Sequence, residues 1–272
     1  MSRAGFSGAR IEIGDNFVLK NGKGCHDQAM YLKELRIGPE IYVIGADGYG
    51  MERLYHEPLA LIHEEEIFRV MLRLLDRVVW QRRHHSHPWK GHLKTWLLMN
   101  WNFPGVACPV HLMDRLYDHR YEEFGQYIHG DPTLSNVMVD KHGDIKLIDP
   151  IRPEGKIPWL KDVDLGKMLQ SVIGWEHVVF NWDMPEDTCV QVFYAHFTTL
   201  ELERALFWLM IHALRIIPYA KGNSLTSFWA RQVALSIEEN FEKEDPCNTL
   251  MTLMELSSRL AKLYWQPTAP SA

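Results

Sequence analysis

The chain has 272 residues, of which 46% are apolar and 24% charged, values of an ordinary globular protein with room for one large domain or two lobes. A formal net charge of −6 argues against a general nucleic-acid binder, which would carry a basic face. The four cysteines, Cys25, Cys108, Cys189 and Cys247, are too far apart to suggest a zinc site, and a polar Met1–Arg10 segment does not read as a secretory signal, so reduced thiols and a cytoplasmic location are expected.

Along the chain, Gly5-Phe6-Ser7-Gly8 reads as a glycine turn. Arg10–Ile13 and Phe17–Lys20 read as two short strands separated by Gly14-Asp15-Asn16. Ala29, Leu32 and Leu35 recur at helical spacing over residues 26–36, and Gly38-Pro39 stops that helix. Ile41–Ile44 is a strand, Gly45–Tyr49 a turn, and Gly50–Leu54 a further strand or its end. From about residue 64 the pattern turns helical, with Ile67, Val70, Met71, Leu74 and Val78 on one face. Helices are expected over 91–101 and 110–125, a β interlude over 137–149, a helix over 162–172 and several long helices over 198–265. The most apolar run, Ala205–Pro218, contains His212 and Arg215 and is shorter than the ~20 apolar residues a membrane span needs. No membrane association is expected, and no internal repeat is present.

The most informative stretch is His129-Gly130-Asp131-Pro132-Thr133-Leu134-Ser135-Asn136, followed by Ile145-Lys146-Leu147-Ile148-Asp149. Magnesium prefers oxygen ligands, commonly one or two carboxylates completed by substrate phosphates. Asn136 and Asp149 supply such oxygens, and Asp131 is then free to orient a hydroxyl and take its proton. The bland alternative is a loop with ordinary turn-forming Asp and Asn. His84-His85-Ser86-His87 lacks a helical pair with a carboxylate and reads as a solvated loop rather than a metal site.

In its order of glycine loop, strand ending in Lys, helix, two strands, helical lobe, HGDxxxxN and Ile-Asp-Pro, the sequence resembles the aminoglycoside phosphotransferase and choline kinase branch of the protein-kinase-like fold. The likeness spans residues 5–175 and is vague beyond. It implies an α+β, two-lobed architecture: a small β-rich nucleotide-binding lobe over residues 1–55 with a hinge near 51–55, and a large, mainly helical lobe over 56–272. That larger lobe would carry the catalytic loop 129–136 and the metal-binding loop 147–150. The resemblance makes Asp131 the catalytic carboxylate, Asn136 and Asp149 the Mg2+ ligands, and Lys20 the lysine on the α/β-phosphates of ATP or GTP.

By the same likeness Ser7 and Gly8 cover the phosphates, Glu52 and Arg53 meet the adenine through backbone groups, and Asp164 braces the catalytic loop at the start of a helix. The acidic partner of Lys20 is open among residues near Asp27, Gln28, Met30 and Glu34. The implied activity is transfer of a γ-phosphoryl group to a hydroxyl of a small molecule such as an aminoglycoside, sugar or amino alcohol. An atypical protein kinase and an inactive nucleotide-binding pseudokinase are the alternatives. Thr133, where serine/threonine kinases usually carry lysine, and the dozen or so residues between Asp149 and the next helix favour a small-molecule acceptor.

Overall fold

The computed structural model of the chain describes residues 2–4, 9–54, 65–81, 83–85, 89–117, 124–140, 142–153, 158–185, 187–220, 224–241, 243 and 245–264. The chain is α+β, with a small β-rich N-terminal part set on a larger helical body. Strands β1 (Ser2–Ala4), β2 (Arg10–Ile13), β3 (Phe17–Asn21), β4 (Ile41–Ile44) and β5 (Gly48–Glu52) form one antiparallel sheet in the order β1-β2-β3-β5-β4. The first strand has only three residues. Strand β5 begins at Gly48, inside the stretch expected to turn.

Helix α1 (Cys25–Leu35) crosses between sheet and body. Its Cys25 and Ala29 pack with Ala9, Tyr49 and Met51 in a small core under the sheet. Tyr31 and Leu35, with Ile37 beyond the helix, belong instead to the large core of the body. The Tyr31 hydroxyl donates to the Ile128 carbonyl, directly before the His-Gly-Asp motif. Burying each such side chain stabilises by roughly 1.5–3 kcal/mol.

The body contains α2 (Glu65–Leu74), α3 (Trp89–Asn100), α4 (Val110–Leu116), α5 (Lys161–Val172), α6 (Trp175–Phe180), α7 (Asp187–His196), α8 (Thr199–Ile216), α9 (Ser224–Asn240) and α10 (Pro246–Tyr264). Helix α2 widens into a π-turn over Leu75–Val79, closed by the Trp80 amide donating to the Leu75 carbonyl at 2.9 Å. The helix expected over 110–125 stops at Leu116 because Tyr117 is extended and anchored elsewhere. Its buried ring packs edge-on against Trp89 and its hydroxyl donates to Asp162 at 3.1 Å, so tertiary contacts override local helical spacing. The histidine run expected as a loop contributes β6 (Arg83–His85), paired with β7 (Phe124–Gln126). Thr198 and Glu201 form a capping box on α8, and Lys161 at the start of α5 pairs with the same Glu201. Among the described residues no helix is long and apolar enough to cross a membrane.

Candidate active site

The alternation of β3 decides where Lys20 points. Val18 and Lys20 share a face, and Val18 packs against the small core under the sheet. Lys20 is therefore turned inward and is only 4% exposed. A buried ammonium needs paired acceptors, and Lys20 has two: Asp149 Oδ1 at 2.6 Å and Gln28 Oε1 at 2.8 Å. The residue of α1 that meets Lys20 is thus Gln28, an amide where a carboxylate was sought; Asp27 lies on the exposed side of the helix. Gln28 Nε2 also donates to the Pro150 carbonyl at 3.2 Å, so one side chain holds both the lysine and the segment after Asp149.

Asp149 follows the hairpin of β8 (Val137–Val139) and β9 (Ile145–Leu147). The hairpin turn is held by Asp140, whose Oδ1 accepts from the amides of His142 and Asp144. Asp149 itself has a left-handed φ of 57°, which aspartate tolerates better than most residues. The Ile148 amide donates to the Asn136 carbonyl at 3.0 Å, and the Ile151 amide to the His129 carbonyl at 2.9 Å. These two bonds lock the hairpin exit onto the turn of the His-Gly-Asp motif.

In that turn, Asn136 closes a 3-10 segment (Leu134–Asn136) and its Nδ2 donates to Asp131 twice, to the carbonyl at 2.9 Å and to Oδ2 at 3.2 Å. Asp131 Oδ1 faces Lys167 Nζ at 3.1 Å. The base of the loop rests on Asp164, which accepts from the amides of His129 and Gly130, each at 2.7 Å, and from the Trp80 indole at 3.0 Å. Burial pushes the Asp164 carboxyl up to about 7, against the downward pull of those three donors. Asp164 is not the cap of its helix: Leu160 occupies that position, and Asp164 sits inside the first turn facing the loop. His129 is fully buried and held down to about 4, mainly by burial, which outweighs the pull of Asp131 and Asp149. A neutral imidazole shut away from solvent is a packing element rather than a proton carrier.

Lys20, Asp131, Asn136 and Asp149 line a single cavity of about 320 Å³ between sheet and body. Lys167 and Gln170 line it too, and neither was singled out from the sequence. The signal was present: Asp164, Lys167 and Gln170 follow at i, i+3 and i+6 along a largely apolar helix, a polar stripe aimed at the loop. Ser171 extends it, with its Oγ accepting from the Leu134 amide at 3.0 Å and donating to Glu176 at 2.7 Å. Trp175 lines the cavity and packs on Trp229, while Trp159 lies in the core against Tyr31.

Glu52 and Arg53 are not among the cavity's lining residues, and their amides are engaged, donating to the carbonyls of Glu40 at 2.8 Å and Asn16 at 3.2 Å. An adenine bound there would have to use other groups than those two N–H donors. Ser7 and Gly8 lie outside the described residues, as do the side chains of the histidine run.

The family model for Seadornavirus VP7 matches residues 107–153, the stretch containing Asp131, Asn136 and Asp149. No curated protein matches the sequence. Among solved structures, the chain is similar to the AMP-bound complex of a spectinomycin phosphotransferase, at 12% identity over 92% of each chain with a TM-score of 0.49. It is also similar to an ethanolamine kinase of Plasmodium vivax, at 14% identity over 92% of this chain and 76% of that one with a TM-score of 0.41. A choline kinase of Cryptosporidium parvum Iowa II matches at 12% identity over 97% of this chain and 89% of the other, with a TM-score of 0.40.

Proposed function

We propose that this chain is a phosphotransferase that moves the γ-phosphoryl group of ATP or GTP onto a hydroxyl of a small molecule. The observation that carries the reading is the meeting at one cavity of Lys20, from β3, with Asp131 and Asn136 of one turn and Asp149 at the exit of the hairpin that follows it. In this reading residues 1–55 form the nucleotide lobe, with Ser7 and Gly8 over the phosphates and Glu52 and Arg53 at the hinge.

The donor set fits Mg2+. Asn136 spends its Nδ2 on Asp131, which leaves its amide oxygen for a cation. Asp149 has a second oxygen beyond the one on Lys20. Two hard oxygens completed by phosphates is the usual protein contribution to a magnesium site. When bound, the ion supplies charge neutralisation for the phosphates. The other parts of the reaction belong to the chain. Lys20, fixed between Asp149 and Gln28, presents a positive point to the α/β-phosphates. Asp131, held by Asn136 and the loop that Asp164 braces, orients the attacking hydroxyl and accepts its proton.

Only residues 150–160 separate Asp149 from α5, too short a segment to build a peptide-docking platform, which supports a small acceptor over a protein. Gln28 in place of a carboxylate favours a second reading, a nucleotide binder without turnover. Incubation with γ-labelled ATP and Mg2+ against a metabolite pool and a cell lysate separates the possibilities. Label in small molecules is the expected result. Label confined to protein bands would point to a protein kinase, and nucleotide binding without any label to the second reading.

A further inference from the structure

The charges around Asp131 restrict what can approach it. Among the described residues lining the cavity the carboxylates are Asp131 and Asp149, and each already faces a lysine, Lys167 at 3.1 Å and Lys20 at 2.6 Å. An acceptor bearing an ammonium group near its reacting hydroxyl therefore finds no uncommitted carboxylate there. It meets instead the positive charge of Lys167, whose side chain is only 18% exposed and whose N–H donors call for oxygen acceptors. The positive field reaches further into the body: burial holds His212 well below the ordinary imidazole range, and Lys167 and Arg215 push it in the same direction.

One turn on from Lys167, Gln170 also lines the cavity; it is 2% exposed, and its buried Oε1 has no hydrogen-bond partner. A buried amide oxygen without a donor is destabilising, and a ligand hydroxyl that reached it would satisfy it. Trp175 adds a flat apolar wall. A cation, an amide and an indole face together suit a compound with several hydroxyls and no positive charge.

We propose that the acceptor is an uncharged or anionic polyhydroxy compound, such as a sugar, polyol or sugar acid, that Lys167 and Gln170 select it, and that ammonium-bearing alcohols are rejected. This rests on the phosphotransfer reading and narrows its substrate class.

The test uses the full chain with Mg2+ and γ-labelled ATP against three sets of probes: neutral sugars and polyols, sugar acids and hydroxy acids, and aminoglycosides with choline and ethanolamine. The best acceptor of the first two sets is expected to exceed the best of the third by roughly tenfold or more in kcat/KM. Preference for the ammonium set overturns this inference and leaves the phosphotransfer reading intact. Label in none of the sets, with Mg-ATP binding intact, overturns the reading and the inference with it. In Lys167→Gln the ratio of cationic to neutral kcat/KM should rise by roughly tenfold, and in Lys167→Arg, which keeps the charge, it should not. An unchanged ratio in a folded Lys167→Gln protein refutes the assignment, because loss of catalytic positioning alone would lower both rates together.

Discussion

Gly130 is the position at which a single added methyl group tests the architecture of the turn that carries Asp131 and Asn136. Its φ is +84°, and a Cβ placed on it would lie 2.0 Å from the Ile151 carbonyl oxygen and 2.9 Å from the Ile151 carbonyl carbon. Two costs follow for Gly130→Ala. The left-handed backbone disfavours any L side chain by about 1–2 kcal/mol. The clash is with main chain rather than a flexible side chain, so either the turn or the segment after Asp149 must move by about 1 Å. That movement strains the Ile151–His129 backbone bond and the Gly130 amide's bond to Asp164, the latter charge-assisted and worth about 1.5–3 kcal/mol. The total is about 3–5 kcal/mol.

Gly143, in the β8–β9 turn, provides the control. Its φ is also +84°, but nothing lies within 4 Å of an added Cβ. Gly143→Ala should therefore carry only the conformational part, about 1–2 kcal/mol. Urea unfolding of both variants and the parent, followed by tryptophan fluorescence, gives the comparison. If Gly130→Ala is no more destabilised than Gly143→Ala, the tight contact between the turn and residue 151 is not what holds Asp131 and Asp149 together.

Three further outcomes are expected. Asp131→Ala should lower kcat by about 10²–10⁴-fold and leave Mg-ATP affinity near the parent's, checked by initial rates and by nucleotide titration; wild-type turnover would remove Asp131 from its assigned role. Asp149→Ala should weaken Mg-ATP binding by roughly tenfold or more, since a charged partner of Lys20 is lost together with an oxygen proposed for the metal, and calorimetry with and without Mg2+ reads the effect. The imidazole of His129, held near 4 against an ordinary 6.5, should stay neutral in NMR titrations down to about pH 4. Because its folded value lies below the unfolded one, its contribution to stability is complete above pH 6.5 and declines by about 3 kcal/mol as pH falls to 4. Asp162 and Asp164, raised to about 6 and about 7, act in the opposite direction over the same range, so the residue-specific titration is the decisive measurement. A His129 midpoint near 6.5 would contradict the burial described.

What could be read from the sequence follows from the range of the interactions involved. Asp131 and Asn136 belong to one short turn, and the hairpin to Asp149 is closed by local Asp140 bonds, so their spacing alone fixes their neighbourhood. Lys20 comes from the family resemblance, and the alternation of β3 accounts for its inward side chain. The partner of Lys20 depends on the rotational phase of α1, which Cys25, Ala29 and Tyr31 set by their burial; that phase turns Gln28 toward the cavity and Asp27 to solvent. Lys167 reaches Asp131 only because α5 packs beneath the turn, a long-range fact that helical spacing supports but cannot announce. The end of α4 was missed because Tyr117 answers to Trp89 and Asp162 rather than to its neighbours in sequence.

The double allegiance of α1 has a mechanical consequence. Swinging this helix outward would draw Tyr31 and Leu35 out of the main core and break the Tyr31 bond to Ile128. At roughly 1.5–3 kcal/mol per buried side chain, that excursion would consume much of the stability of a typical domain. Gln28, which holds both Lys20 and the segment after Asp149, is thereby kept in standing register with the body.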